Sequence, residues 1–119
     1  MEWQFADDRP LYLQLVEQMR RIIVTGSWPP GSRLASVRDL ALEAGVNPNT
    51  MQRALAELEN EGLVMAQRTS GRYVTEDTEL VAKLRHTLAR EITKNFKSSM
   101  YAIGCDDAEI ETLVKEDLE

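Results

Sequence analysis

The chain has 119 residues with a formal net charge of −6, and 43% of its residues are hydrophobic, which suits one compact domain with an appendage. No stretch approaches the roughly 18 apolar residues of a membrane span, and the N-terminus lacks the regions of a signal peptide. We therefore expect a cytoplasmic protein without membrane contact. The single cysteine, Cys105, excludes an intrachain disulfide and a thiolate metal cluster within one chain.

The charge is distributed unevenly along the chain. Residues 9–75 carry eight arginines against six acids, whereas residues 1–8 carry three acids and no base, and residues 76–119 carry eleven acids against six bases. Every basic residue before Lys83 is an arginine, the side chain suited to bidentate contacts with phosphate and guanine. The negative total therefore does not exclude nucleic acid as a partner of the central segment.

A wide apolar stripe predicts a first helix of about four turns, which begins after Pro10 and ends at Gly26. The stripe consists of Leu11, Tyr12, Leu15, Val16, Met19, Ile22 and Ile23. The following SWPPGSR segment predicts a connector, because two prolines and a glycine interrupt any helix there. Leu34 is expected to anchor its far end.

Ser36 followed by Asp39 resembles a capping box with Asp in place of Glu, and it predicts a short second helix that Gly45 ends. Only two residues then separate Gly45 from Pro48, so the second and third helices should meet at a steep angle across a tight turn. This is helix-turn-helix spacing. In that geometry the first helix of the pair has its N-terminus, here Ser36 and Arg38, close to the phosphate backbone.

The segment from Asn47 to Gly62 predicts the third helix, around which we interpret the rest of the chain as organised. Asn47 can cap it and Pro48 suits its first turn. The spacing turns one face to the core: Met51, Ala54, Leu55 and Leu58. The exposed end carries polar side chains that can bond adenine, guanine or phosphate: Asn49, Thr50, Gln52 and Arg53. For this helix alone, an amide-rich solvated face is the alternative.

Leu63 to Ala66 and Arg72 to Val74 predict two short strands around a polar turn at Thr69 to Gly71. The resulting β-hairpin, or wing, has Arg68 and Arg72 beside its tip, where they could reach sugar-phosphate or the minor groove. A surface hairpin with two incidental arginines is the alternative interpretation.

The acidic segment from Glu76 predicts two tail helices, the first reaching about Ser98 and the second beginning after Gly104 with Asp106 or Cys105 as its cap. Each helix has an apolar stripe. The stripe of the first tail helix consists of Leu80, Leu84, Leu88, Ile92 and Phe96, and that of the second consists of Ile110, Leu113 and Leu118. Two helices are too thin to bury both stripes, so the tail should pack on the preceding domain, on a second copy of itself, or on both.

From about Pro10 to Val74 the chain resembles the GntR superfamily of bacterial winged helix-turn-helix transcription regulators. The resemblance rests on four segments in order: PLYLQLVEQMRRII, PGSRLASVRDLA, GVNPNTMQRALAELENEGLV and the wing ending in GRYV. The short tail resembles the YtrA-type subfamily, because larger subfamilies append an effector-binding or aminotransferase-like domain, for which the residues after Thr75 leave no room.

The resemblance implies a mainly α fold with a small β-hairpin (α+β), with a winged DNA-binding domain in residues 1–75 and a helical dimerisation tail in residues 76–119. It implies a transcription regulator, expected to be a repressor, that binds a double-stranded DNA operator as a homodimer and needs no cofactor. Two-fold symmetry would make the operator an inverted repeat. With the wing arginines, the expected DNA contacts are Ser36, Arg38, Asn47, Asn49, Thr50, Gln52, Arg53, Arg68, Gly71 and Arg72.

The chain departs from the family pattern in two places. Ala35 stands where the family commonly has proline, and Thr69 and Ser70 replace the glycine and lysine of the usual wing tip, which disfavours a close backbone approach to DNA there. An enzyme is not expected, because His86 and Cys105 have no partners at catalytic or metal-ligand spacing. The more serious alternative is a winged domain used only for protein contacts, since the fold does not dictate DNA binding.

Overall fold

The structure, a computed structural model, describes residues 2–119. These residues form a two-stranded antiparallel sheet and helices in the order α1 (Leu11–Val24), α2 (Val37–Ala44), α3 (Pro48–Asn60), β1 (Val64–Gln67), β2 (Gly71–Val74), α4 (Thr78–Ala102) and α5 (Asp107–Leu118). The predicted mainly α fold with one hairpin is confirmed. Among the residues described, no helix combines the length and apolarity needed to cross a membrane.

The described chain divides into two compact units, the first extending to Ala82 and the second from Lys83 to Glu119. Helix α4 therefore contributes its first turn to one unit and its remainder to the other. The domain boundary after Thr75 that the sequence suggests lies between β2 and α4, and it stays a prediction.

The core of the first unit lies where α3 packs on α1, α2 and β1. The predicted core face of α3 is confirmed, because Met51, Ala54, Leu55 and Leu58 are all buried. Burying each large side chain contributes roughly 1.5 to 3 kcal/mol, so this face holds α3 firmly in the unit. The stripe of α1 is narrower than predicted, since Leu11 is exposed at the first turn and Tyr12 and Ile22 are half-buried.

Side-chain caps fix the starts of α2 and α3. The Ser36 hydroxyl accepts from the Asp39 N–H at 3.1 Å, and Asn47 Oδ1 accepts from the Asn49 N–H at 2.7 Å. Gly45 ends α2 with a φ of 72°, a left-handed conformation that glycine adopts without steric cost. The exposed polar residues at the start of α3 thus stand on a helix end with a defined position.

The wing pairs Val64 with Val74 and Gln67 with Gly71. Its first strand begins one residue later than predicted, because the Leu63 N–H bonds the Leu58 carbonyl and closes the end of α3. Residues 31–34 of the connector also bond β2, with the Leu34 N–H on the Arg72 carbonyl at 2.8 Å and the Val74 N–H on the Ser32 carbonyl at 2.9 Å. The connector therefore ties the wing to the start of α2.

Two glutamines of α1 bind an extended N-terminal segment that the sequence did not suggest. Gln18 exchanges hydrogen bonds with the backbone N–H and C=O of Gln4 at 3.1 and 2.7 Å, and Gln14 does the same with Ala6 at 2.7 and 2.8 Å. Four helical residues rise about as far as two extended residues, so the two spacings match. Gln14 also donates to the Arg9 carbonyl at 2.8 Å, which fixes the start of α1.

In the second unit α4 extends to Ala102, four residues beyond the predicted Ser98, because nothing breaks it before Gly104. Asp106 is the cap of α5, where its carboxylate accepts from the Glu109 N–H at 2.9 Å. The Tyr101 hydroxyl donates to the Asp107 carboxylate, and this hydrogen bond raises the pKa of Tyr101. The first hydrogen bond fixes the start of α5, and the second joins the end of α4 to that start.

Candidate nucleic-acid interface

The N-terminal turn of α3 presents an exposed polar surface. Asn47, Asn49, Gln52 and Arg53 are exposed, and Thr50 is half-buried. The first turn of α3 has no acidic residue, so the partial positive charge of the helix end is not neutralised there. This end of α3 therefore offers amide and guanidinium donors in a setting that attracts an anion.

Arg53 lies against an aromatic ring of another helix. Its guanidinium carbon is 3.6 Å from the centroid of the Tyr12 ring on α1. Contact with the ring face is a cation–π interaction, and it leaves the N–H groups at the edge of the guanidinium plane free to donate.

Ser36 and Arg38 are both exposed at the N-terminus of α2. The Ser36 oxygen already accepts the Asp39 N–H, but its own O–H group remains a donor. Along the described part of the chain, Arg38 makes no ion pair or side-chain hydrogen bond. Both residues can therefore bind a phosphate without breaking a contact inside the protein.

The two wing arginines differ in their exposure and in their contacts within the protein. A groove of about 440 Å³ at the wing is lined by Ala66, Gln67, Arg68, Gly71 and Arg72. Arg68 is exposed, whereas Arg72 pairs with Glu59 of α3 at 2.5 Å between Nε and Oε1. Arg72 therefore ties the wing to α3 and is less available than Arg68.

Arg33 is a candidate contact that the sequence reasoning missed. It is exposed and bridges to Tyr73 of β2, and its guanidinium lies beside Gly71. A side chain on Gly71 would place its Cβ 3.3 Å from Arg33 Nε, and φ at Gly71 is 105°, so glycine suits both the turn and the close approach. The only sequence signal for Arg33 was the exclusive use of arginine in this part of the chain.

The structure brings the predicted residues together in groups. Asn47, Asn49, Thr50, Gln52 and Arg53 share the first turns of α3, Ser36 and Arg38 share the start of α2, and Arg68, Gly71 and Arg72 share the wing. The bond between Arg72 and Glu59 links the wing to α3 directly. The three groups belong to one compact unit, and each presents at least one exposed arginine.

A model of the bacterial regulatory proteins of the gntR family matches residues 11–74. The chain belongs to the GntR family. The match covers both helices of the helix-turn-helix and the whole wing. The family resemblance expected from the sequence motifs is confirmed.

Similar proteins extend this likeness through the tail. The chain is 36% identical to the uncharacterized HTH-type transcriptional regulator YhcF of Bacillus subtilis, over 92% of this chain and 91% of that protein. It is 32% identical to the HTH-type transcriptional repressor YtrA of Bacillus subtilis, over 90% of this chain and 83% of that protein. A solved GntR family transcriptional regulator from Listeria monocytogenes superposes with a TM-score of 0.87 and 40% identity, covering 94% of this chain and 98% of that one.

This GntR protein is therefore a transcription regulator with a DNA-binding helix-turn-helix, and it belongs with regulators rather than with enzymes. Because YhcF, YtrA and the Listeria protein are each covered over more than four fifths of their length, the likeness includes the two tail helices and not the winged unit alone.

Proposed function

We propose that this protein is a cytoplasmic transcriptional repressor that binds an inverted-repeat operator as a homodimer. The observation that supports DNA binding best is the exposed, acid-free N-terminal turn of α3, which presents Asn49, Gln52 and Arg53 on a firmly packed helix. An α-helix fits the major groove, where amide and guanidinium side chains distinguish adenine and guanine from the other bases.

The other two groups would position α3 on the duplex. Ser36 and Arg38 offer donors at the start of α2, the helix that crosses the phosphate backbone in this motif. Arg68 of the wing and Arg33, which lies beside Gly71 of the wing, are both exposed and would bind sugar-phosphate beside the groove. Contacts to the phosphates fix register and orientation, and the side chains of α3 then select the sequence.

The proposal of repression comes from a relative, since YtrA of Bacillus subtilis is named a transcriptional repressor and is similar over 90% of this chain. Blocking access to a promoter requires only occupancy of the operator, which a DNA-binding dimer of this size can provide.

The proposal of a homodimer rests on the tail. No side chain of α4, a helix described over its full length, is fully buried within the chain. Ile92 is 66% exposed, Phe96 40% and Leu118 82%, whereas Ile110 of α5 is only 9% exposed. Ile92 and Phe96 lie one helical turn apart on α4, so they expose apolar side chains along one side of that helix. Exposed apolar surface marks an interaction site, and a second copy is the commonest partner for a self-complementary patch.

Selection of bound sequences from a random DNA pool tests the proposed function. We expect enrichment of a single inverted repeat, and repression of a reporter when that repeat overlaps its promoter. Failure to enrich any sequence would favour the winged domain as a protein-contact module. Enrichment of a repeat that activates the reporter would retain DNA recognition and overturn repression.

A further inference from the structure

Arg53 has a partner on α1 that none of the predicted contacts includes. The Tyr12 ring lies 3.6 Å from the Arg53 guanidinium carbon. Across residues 2–119, the ion pairs formed by arginines use Arg9, Arg20 and Arg72. The Tyr12 ring is thus the contact that determines where the exposed Arg53 side chain lies.

The Tyr12 ring is itself held in place. Tyr12 is half-buried on α1, one position beyond the first residue of the helix. Helix α1 packs on α3, and its Leu15 and Met19 are fully buried. Gln14 fixes the preceding turn through its hydrogen bond to the Arg9 carbonyl. The Tyr12 ring therefore has a defined position, and it can hold the long and otherwise flexible Arg53 side chain in one orientation.

The stacking geometry suits recognition of a base or a phosphate. The guanidinium carbon lies over the ring at 3.6 Å, a distance that suits a guanidinium stacked on the ring face. In a stacked guanidinium the five N–H donors point outward in its plane. An arginine that already has one orientation loses less conformational freedom when it binds than a mobile one does.

We propose that Tyr12 is a positioning residue for DNA recognition, which acts by holding Arg53 in the orientation that binds the operator. This inference rests on the proposed function, because it assigns Arg53 to the DNA interface. It adds the start of α1 to the elements that determine affinity, although Tyr12 itself is not required to touch DNA.

Two substitutions separate the ring from the hydroxyl. Tyr12→Phe keeps the aromatic face and should leave operator affinity within experimental error. Tyr12→Leu removes the face and should weaken binding roughly two- to fivefold, which corresponds to about 0.5 to 1 kcal/mol for an exposed cation–π contact. The probe is the duplex that the wild-type protein selects from a random pool, so absence of any selected duplex would count against the proposed function instead.

A double-mutant cycle with Arg53→Ala tests whether Tyr12 acts through Arg53. We expect Tyr12→Leu to have no further effect on affinity when Arg53 is already alanine, and to relax the same base-pair preference that Arg53→Ala relaxes. An equal loss in both backgrounds would overturn the proposal, as would wild-type affinity of Tyr12→Leu. Loss with Tyr12→Phe equal to that with Tyr12→Leu would also overturn it, because the hydroxyl would then be the important group.

A spectroscopic measurement keeps the proposal testable if Tyr12→Leu does not fold. Stacking on a ring face shifts the Arg53 Nε–H proton signal upfield in the folded wild-type protein and in Tyr12→Phe. An Arg53 signal at the position of a solvent-exposed arginine would show that the two groups do not stack, and it would overturn the proposal without any variant that removes the ring.

Discussion

The arginines of the first unit differ in whether they form an ion pair within the protein. Arg20 pairs with Glu61 at 2.5 Å, a hydrogen bond that raises the pKa of Arg20, and Arg72 pairs with Glu59. Arg38 and Arg68 are exposed. The sequence shows that arginine is concentrated in this unit. It could not predict which arginines form ion pairs, because Arg20 and Glu61 are separated by 41 positions.

Gln52 is expected to read a base edge from the exposed side of α3. Gln52→Ala should reduce discrimination at one position per half-site by about 1 to 3 kcal/mol, because a bidentate contact to adenine is lost. Competition binding with operators altered at single positions measures this. Asn60→Ala, at the exposed far end of α3, is the control and should leave the profile unchanged. An unchanged profile for Gln52→Ala would remove Gln52 from the readers.

Arg38 is expected to bind a phosphate, so Arg38→Ala should differ from Gln52→Ala in kind. It should weaken binding to all sequences by a similar factor and reduce the slope of log affinity against log salt by about one. Titration of specific and unrelated duplexes at several salt concentrations distinguishes the two patterns. A loss confined to one base position would show instead that Arg38 reads sequence.

Local caps and apolar periodicity made the elements of the helix-turn-helix predictable. Ser36, Gly45 and Asn47 occupy the cap positions expected from their residue types, and the stripe of α3 is buried as its spacing requires. Residues 31–34 and the N-terminal segment were not predictable in this way. Their bonds to β2 and to Gln14 and Gln18 depend on which chain segments meet in the folded unit, and no local pattern encodes that.

The candidate binding residues lie on the elements that their sequence positions predicted, and their role in DNA binding stays a prediction. The contacts that these residues make inside the protein were not predictable. Nothing in the pattern of α3 indicated that Glu59 would engage Arg72 of the wing, or that Tyr12 would cover Arg53. These contacts cross between elements, so they follow from tertiary packing rather than from spacing. For the same reason Arg33 was assigned to a connector instead of to the wing.

Ser36 combines a structural role at the start of α2 with an expected phosphate contact, and two substitutions separate these. Ser36→Ala should lower the free energy of unfolding by about 0.5 to 2 kcal/mol, because the Asp39 N–H loses its acceptor. Ser36→Asp should retain the cap but weaken DNA binding more than Ser36→Ala does, because a carboxylate repels phosphate. Urea denaturation and DNA titration measure the two quantities. If Ser36→Asp bound DNA with wild-type affinity, the start of α2 would not lie close to the phosphate backbone of the DNA.

At the scale of the whole molecule, a protein of net charge −6 is expected to bind DNA through one limited basic surface. Its affinity should fall steeply as salt rises from about 50 to 200 mM, because binding releases counterions from the phosphates. The acidic remainder should keep binding to unrelated DNA weak. A flat response over this range would count against DNA binding and in favour of the protein-contact alternative.

The two apolar stripes of the tail carry the argument for assembly. Burying a leucine or phenylalanine side chain contributes roughly 1.5 to 3 kcal/mol, and Leu84 and Leu88 of α4 are only half-buried within the chain while Phe96 and Leu113 are exposed. A second copy would cover these stripes on both chains at once. Two-fold symmetry would then place two α3 helices in successive major grooves, with half-sites about one helical turn, roughly 10 bp, apart or a multiple of that.

Leu88→Asp in the full chain tests this assembly. We expect sedimentation to show a shift from dimer to monomer at micromolar concentration, and operator affinity to fall because the two half-sites are no longer bound together. His86→Asp is the control, since it adds the same charge two residues away, on the opposite side of α4, where the side chain is exposed. It should remain dimeric and bind the operator as the wild-type protein does. A wild-type chain that sediments as a monomer and binds a single half-site as tightly as the full repeat would contradict the dimer.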